Sequence, residues 1–122
     1  MKEPQIRVIE RENTALGIVY ELGRGVHQDT AAAIKWYDLS AQQGDVDAQM
    51  QLARIFDVGE LVPRNPTAAA KYYQQAADSG QTKAKFELSP IYEVGQGVPK
   101  NPMMAAKYYQ EAAAQDQPTG RT

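Results

Sequence analysis

The residues that could do chemistry in this sequence are few, and their spacing does not assemble a site. His27 is the only histidine. It falls in a Gly-rich loop, and a metal site or a catalytic triad needs partners at defined spacing. It is expected to be solvated. Ser40, Ser79 and Ser89 are the serines, and none opens a Ser-x-x-Lys or centres a Gly-x-Ser-x-Gly. Gly23-Arg24-Gly25 and Gly95-Gln96-Gly97 look like pieces of a dinucleotide loop, but the third Gly is missing and no strand precedes them. Without Cys, disulfides, thiolate metal sites and a Cys nucleophile are excluded. No catalytic, cofactor or metal residue is assigned, and the chain is expected not to be an enzyme.

Adjacent aromatics, Trp36-Tyr37, Tyr72-Tyr73 and Tyr108-Tyr109, could suggest a ligand cage or a base-stacking platform. Neighbours on a helix diverge by about 100°, so none of the three pairs can form one flat surface. Packing is the expected use: one ring inside its own unit, the other against the neighbouring unit. The formal charge of −2 and the scattered Lys and Arg do not make the basic stripe of a nucleic-acid binder or a polybasic membrane patch. No apolar run approaches the ~20 residues that span a bilayer. The amino terminus lacks the pattern of a signal peptide. A soluble chain is expected, with the cytoplasm slightly favoured and the compartment otherwise open.

These residues are positioned by a repeat. Leu16, Gly23, Asp29, Ala33, Trp36-Tyr37 and Ala41 recur after 36 residues as Leu52, Gly59, Asn65, Ala69, Tyr72-Tyr73 and Ala77, and again as Leu88, Gly95, Asn101, Ala105, Tyr108-Tyr109 and Ala113. No gap is needed. Within a unit, Ala48, Leu52, Ile55 and Phe56 lie on one face of a 3.6-residue period. Gly23, Gly59 and Gly95 stand where a left-handed cap ends that first helix. Asp29, Asn65 and Asn101 are N-cap types for a second helix, with Pro66 and Pro102 at its first position. The chain divides into units of roughly 12–47, 48–83 and 84–116, one domain over 1–122, with a polar tail at 117–122 expected to be disordered.

On these residues the chain resembles the Sel1-like repeat family, relatives of the tetratricopeptide repeats. Leu16-Gly17, Tyr20, Gly23-Arg24-Gly25-Val26, Asp29, Ala33, Trp36-Tyr37, Ala41 and Gly44 follow the family motif in the first unit. The resemblance implies an all-α fold, a right-handed α/α solenoid of three helix–turn–helix repeats and about six helices. It also implies an adaptor or scaffold role in which the first helices line a concave face. A cysteine-rich branch of the family has been linked to β-lactam binding, and with no Cys nothing carries that activity to this chain.

Departures from the motif set further expectations. Glu12 takes an Ala position. Leu61 replaces the second loop Gly, so its loop must avoid positive φ or carry strain. Ser89-Pro90 replaces Gly-x, and Pro90 should bend the first helix of the third unit. Asp116 stands in place of the closing Gly.

Superposing the motif on the tetratricopeptide pattern places five columns on the concave face: Arg11/Asp47/Lys83, Thr14/Met50/Phe86, Ile18/Arg54/Pro90, Glu21/Asp57/Glu93 and Leu22/Val58/Val94. The last is apolar throughout and is expected to pack in the core against the second helices. The acidic column is either a solvated helix face or a negative stripe that selects a basic peptide. Met50, Arg54, Asp57, Phe86 and Glu93 form the candidate partner-binding patch, the partner being a protein or peptide. Tyr109 and Ala113 lack a following helix, while Ile6 and Ile9 suggest a longer first helix acting as a partial cap. Either the chain is a fragment of a longer array or it self-associates through an exposed terminal face, and homo-oligomerisation through an uncapped terminal repeat is the main alternative to partner binding. A cell-wall-related hydrolase is a distant one.

Overall fold

A computed structural model of the chain describes the backbone of residues 3–116 and the side chains of residues 13–115. The expected tail at 117–122 and the side chains of Ile6, Ile9, Arg11, Glu12 and Asp116 lie outside the described residues. Among the described residues six helices follow one another: α1 (Glu3–Leu22), α2 (Thr30–Gln42), α3 (Val46–Val58), α4 (Pro66–Asp78), α5 (Thr82–Val94) and α6 (Pro102–Asp116). There is no strand among the described residues. Consecutive helices pack on one another, α1 on α2 through α5 on α6, with α2 against α3 and α4 against α5 joining the units.

Local chemistry sets the helix ends. The Asp29, Asn65 and Asn101 side chains each accept from the backbone N–H three residues on, at 3.1 Å, filling an orphan donor of the first turn. Gly59 and Gly95 take left-handed φ of 74° and 85° and close α3 and α5. Among the described residues no non-Gly residue has positive φ, so the loop carrying Leu61 avoids that region and its strain. Pro90 does not break α5, which runs through it to Val94 and keeps the 13-residue length of α3. The proline is on the exposed side, where water can satisfy the Phe86 carbonyl that loses its N–H partner.

The apolar interior is shared between units. One cluster joins Ala33, Tyr37 and Ala41 of α2 to Ala48, Leu52 and Ile55 of α3. The next joins Ala69, Tyr73 and Ala77 of α4 to Ala84, Leu88 and Ile91 of α5. The alanines let backbones approach, and the Leu side chains fill the space between them. Gly17 shows how tight this is: a Cβ there would lie 2.5 Å from Tyr37 Cε1. The glycine of the first unit is a seat for the tyrosine ring.

Within the aromatic pairs, Tyr37 and Tyr73 are the inner rings, both buried. Tyr72 and Tyr108 each do two things. Their rings stack on Phe56 and Tyr92 of their own first helices, at centroid distances of 6.1 and 5.9 Å. Their hydroxyls reach the preceding unit: Tyr72 donates to Asp38 at 3.0 Å, and Tyr108 accepts from the Gln74 amide at 2.6 Å. The second ring is thus a bridge rather than a simple neighbour contact, because a phenol has an apolar body and a polar tip. Burial, reinforced by the bond to Asp38, pushes Tyr72 up to about 12. Burial also raises Tyr37 and Tyr73, with Glu21 and Asp57 beside their hydroxyls adding to it.

Two expected outcomes follow from this packing. Gly17→Ala should destabilise the fold by about 1–3 kcal/mol through overpacking against Tyr37; an unchanged denaturant midpoint would show that the ring is not seated there. Below pH ~10 the phenols are protonated in both folded and unfolded chains. Above it the unfolded chain ionises first, so stability should fall from pH ~10 upward, by up to about 1.4 kcal/mol per pH unit for each buried tyrosine. The share of half-buried Tyr72 is smaller because solvent screens it. Thermal midpoints followed to alkaline pH should decline less steeply in Tyr72→Phe; identical slopes in the two proteins would rule its ionisation out as a cause.

Candidate partner-binding surface

The first helices present two adjoining clefts. One lies between α1 and α3, lined by Glu21, Leu22, Arg54, Val58 and Leu61 among others, with a volume of about 210 Å³. The other lies between α3 and α5, lined by Met50, Arg54, Asp57, Tyr73, Lys83 and Glu87, with a volume of about 380 Å³. Arg54 and Val58 border both. Each is open to solvent, and both sit at or below the lower end of the ~300–1,000 Å³ typical of small-molecule sites. Such clefts suit side chains of a long segment better than an engulfed metabolite.

Of the five residues singled out from the sequence, Met50, Arg54 and Asp57 come together around the second cleft. Met50 is half-buried and packs on the core of the second and third units. The Arg54 guanidinium bonds the Glu21 carboxylate across the unit boundary and the Gln51 side chain on its own helix. Phe86 and Glu93 do not line that cleft. Phe86 is 59% exposed, its ring edge-on to Tyr109 at 5.9 Å. Glu93 is exposed, with no ion pair among the described residues.

The acidic column is not uniform. Glu21 is only 8% exposed and takes the Tyr37 hydroxyl at 2.7 Å as well as Arg54. Asp57 is half-buried, 3.5 Å from the Tyr73 hydroxyl and 3.4 Å from the Arg64 guanidinium. These two carboxylates serve the fold first, since buried phenols need acceptors. Only Glu93 stands in solvent. The Glu21–Arg54 tie was invisible in the columns, which align equivalent positions, whereas this pair joins different positions of adjacent units.

One expectation is overturned. Leu22, Val58 and Val94 are not core residues packed against the second helices: they are 55%, 50% and 62% exposed. Each is the last residue of its helix. There the chain turns away at the Gly cap, so no second helix covers that side. The result is one exposed apolar residue at the end of each first helix, of which Leu22 and Val58 line the α1–α3 cleft.

Among the described residues no group of three or more His, Asp or Glu gathers as a metal site. Ser40 is buried near Thr14, whose hydroxyl also bonds the Asp45 carboxylate, and Ser89 donates to the Lys85 carbonyl at 2.9 Å. His27 is exposed in the α1–α2 loop.

Comparison with known proteins agrees with this architecture. The Sel1 repeat model matches residues 13–45, 46–81 and 82–117. No curated protein sequence matches the chain. A Sel1 repeat protein from Oxalobacter formigenes superposes with a TM-score of 0.78 at 31% identity, over 88% of this chain and 81% of that one. A protective antigen of uropathogenic Escherichia coli displaying an SLR fold gives 0.79 at 30% identity; 88% of this chain matches, and it spans only 23% of the antigen's length. Helicobacter pylori cysteine rich protein B shares the fold, with a TM-score of 0.67 at 17% identity over 89% of each chain. With three matched units over nearly its whole length, the chain belongs to the Sel1 repeat family.

Proposed function

We propose that this chain is a non-enzymatic interaction module that holds a segment of a partner protein along the face of α1, α3 and α5. Sel1 repeats are generally protein–protein interaction modules. The observation that carries the reading for this chain is the exposed apolar series on that face, Leu22, Val58, Val94 and Phe86. Single exposed apolar residues are ordinary. A row of them repeated at unit spacing beside open clefts is what an interaction surface needs.

The polar groups around the row supply selection. Arg54, Lys83 and Glu87 border the α3–α5 cleft, and Glu93 is exposed on α5. Mixed charge of this kind favours a segment with its own charges in register over a uniformly basic or acidic polymer. Met50 beside the cleft adds an adaptable apolar contact. The overall charge of −2 gives no support to a nucleic-acid partner. No helix among the described residues is long and apolar enough to cross a membrane.

The test is selection of peptides from a random displayed library on the purified chain, followed by calorimetric titration. Phe86→Ala and Met50→Ala should each weaken a selected peptide by about 1–2 kcal/mol, the range of a moderate anchor. Unchanged affinity in both variants would remove the assignment of this face. Competition between unrelated selected peptides, all displaced together, is the expected sign of one shared surface.

A further inference from the structure

The repeat builds two equivalent clefts into this chain, and one of them holds a guanidinium of the chain's own. Between α1 and α3, Arg54 reaches from α3 to the Glu21 carboxylate of α1. Its Nε and Nη2 also donate to Gln51 Oε1, at 3.0 and 2.8 Å. The Tyr37 hydroxyl bonds the same Glu21 carboxylate at 2.7 Å. A carboxylate on one helix, an acceptor on the next and a buried phenol thus make a seat that an arginine fills.

One repeat further on, the acceptors recur and the guanidinium does not. Asp57 stands at the register of Glu21, Glu87 at that of Gln51 and Tyr73 at that of Tyr37, and all three line the α3–α5 cleft. Pro90 holds the register of Arg54, and its ring offers neither charge nor donor. This cleft is the larger, about 380 Å³ against about 210 Å³. It is also the more acidic, with a carboxylate in place of the Gln51 amide. Asp57 shares the Arg64 guanidinium, at 3.4 Å, with its own backbone carbonyl and with Gln96. Glu87 is half-buried and makes no ion pair among the described residues. Both carboxylates reach the Tyr73 phenol electrostatically: burial raises its pKa first, and their charges raise it further. Two cations border the cleft without entering this arrangement. Arg54 is tied to Glu21, and Lys83, one turn before Glu87 on α5, is exposed and forms no ion pair among the described residues.

Given the partner surface proposed for α1, α3 and α5, on which this step rests, we infer that the α3–α5 cleft takes an arginine side chain of the partner segment. Its guanidinium joins the Asp57 and Glu87 carboxylates as that of Arg54 joins Glu21 and Gln51. A planar fork of five donors suits acceptors spread over two helices better than the point charge of a lysine. Met50 and Val58 also line the cleft, and the methylenes of an arginine stem can lie along them.

Peptides selected from a random displayed library on the purified chain, titrated by calorimetry, test the assignment. They should share an arginine at one fixed position. Citrulline there, which keeps the shape and loses the charge, should weaken binding by roughly tenfold or more. Lysine should recover only part of that loss. Glu87→Gln should shrink the preference for arginine over citrulline. Pro90→Arg, at an exposed position, should abolish it by placing the chain's own guanidinium on Asp57 and Glu87, while the citrulline peptide binds as before. That retained binding also shows that the variant is folded. Peptides that are weakened by Phe86→Ala yet show no arginine dependence would overturn the inference and leave the partner surface standing. Equal binding of arginine and lysine peptides overturns it as well, as does an arginine preference undiminished in Pro90→Arg. A library that yields no binder removes the partner surface and this inference with it.

Discussion

Everything in this molecule depends on apolar interiors that no single helix pair can close. Tyr37 and Ala41 of α2 are covered only when Ala48 and Leu52 of α3 arrive from the next unit, and Tyr73 and Ala77 likewise wait for Ala84 and Leu88. Small residues make this possible, because helix backbones must approach closely for one Leu and one Tyr per unit to fill the gap. Gly17 marks the limit, where even a methyl would meet the Tyr37 ring. Stability in such an array is a sum of units and junctions.

The polar groups obey the same logic. A buried phenol needs a partner, and the positions that recur as acidic or amide residues are where the phenols arrive. Glu21 receives Tyr37, Asp38 receives Tyr72, and Gln74 lies between the Tyr92 and Tyr108 hydroxyls. At Glu21 and Asp57 the acidic column is therefore first a folding requirement, whereas Glu93 is exposed. Arg54 reinforces one junction by neutralising the buried Glu21 carboxylate, which would be costly to leave uncompensated. What these internal needs do not consume is the set of apolar helix ends, Phe86 and the charges around the clefts, on which the proposed partner surface rests.

Much of this was legible in the residues. The 36-residue recurrence divided the chain, the apolar period marked the first helices, and Asp29, Asn65, Asn101 and the cap glycines marked the ends, because capping is local chemistry. Six helices without a strand among the described residues follow from those signals. The site was less legible. Met50, Arg54 and Asp57 come together as the columns suggested, but Glu21 was already committed to Tyr37 and Arg54, and Leu22, Val58 and Val94 proved to be surface. Glu21 and Arg54 join different positions of adjacent units, so their pairing leaves no recurrence at equivalent positions.

The sequence by itself determined the repeat, the helix boundaries and the family, since each rests on short-range spacing that a chain carries wherever it lies. Only the tertiary structure decided which repeated residues are inside. Tyr37 and Tyr109 occupy the same register, yet one is sealed and the other is 39% exposed. Burial belongs to the neighbour that a residue meets, and a residue's own type and period do not say whether that neighbour is there.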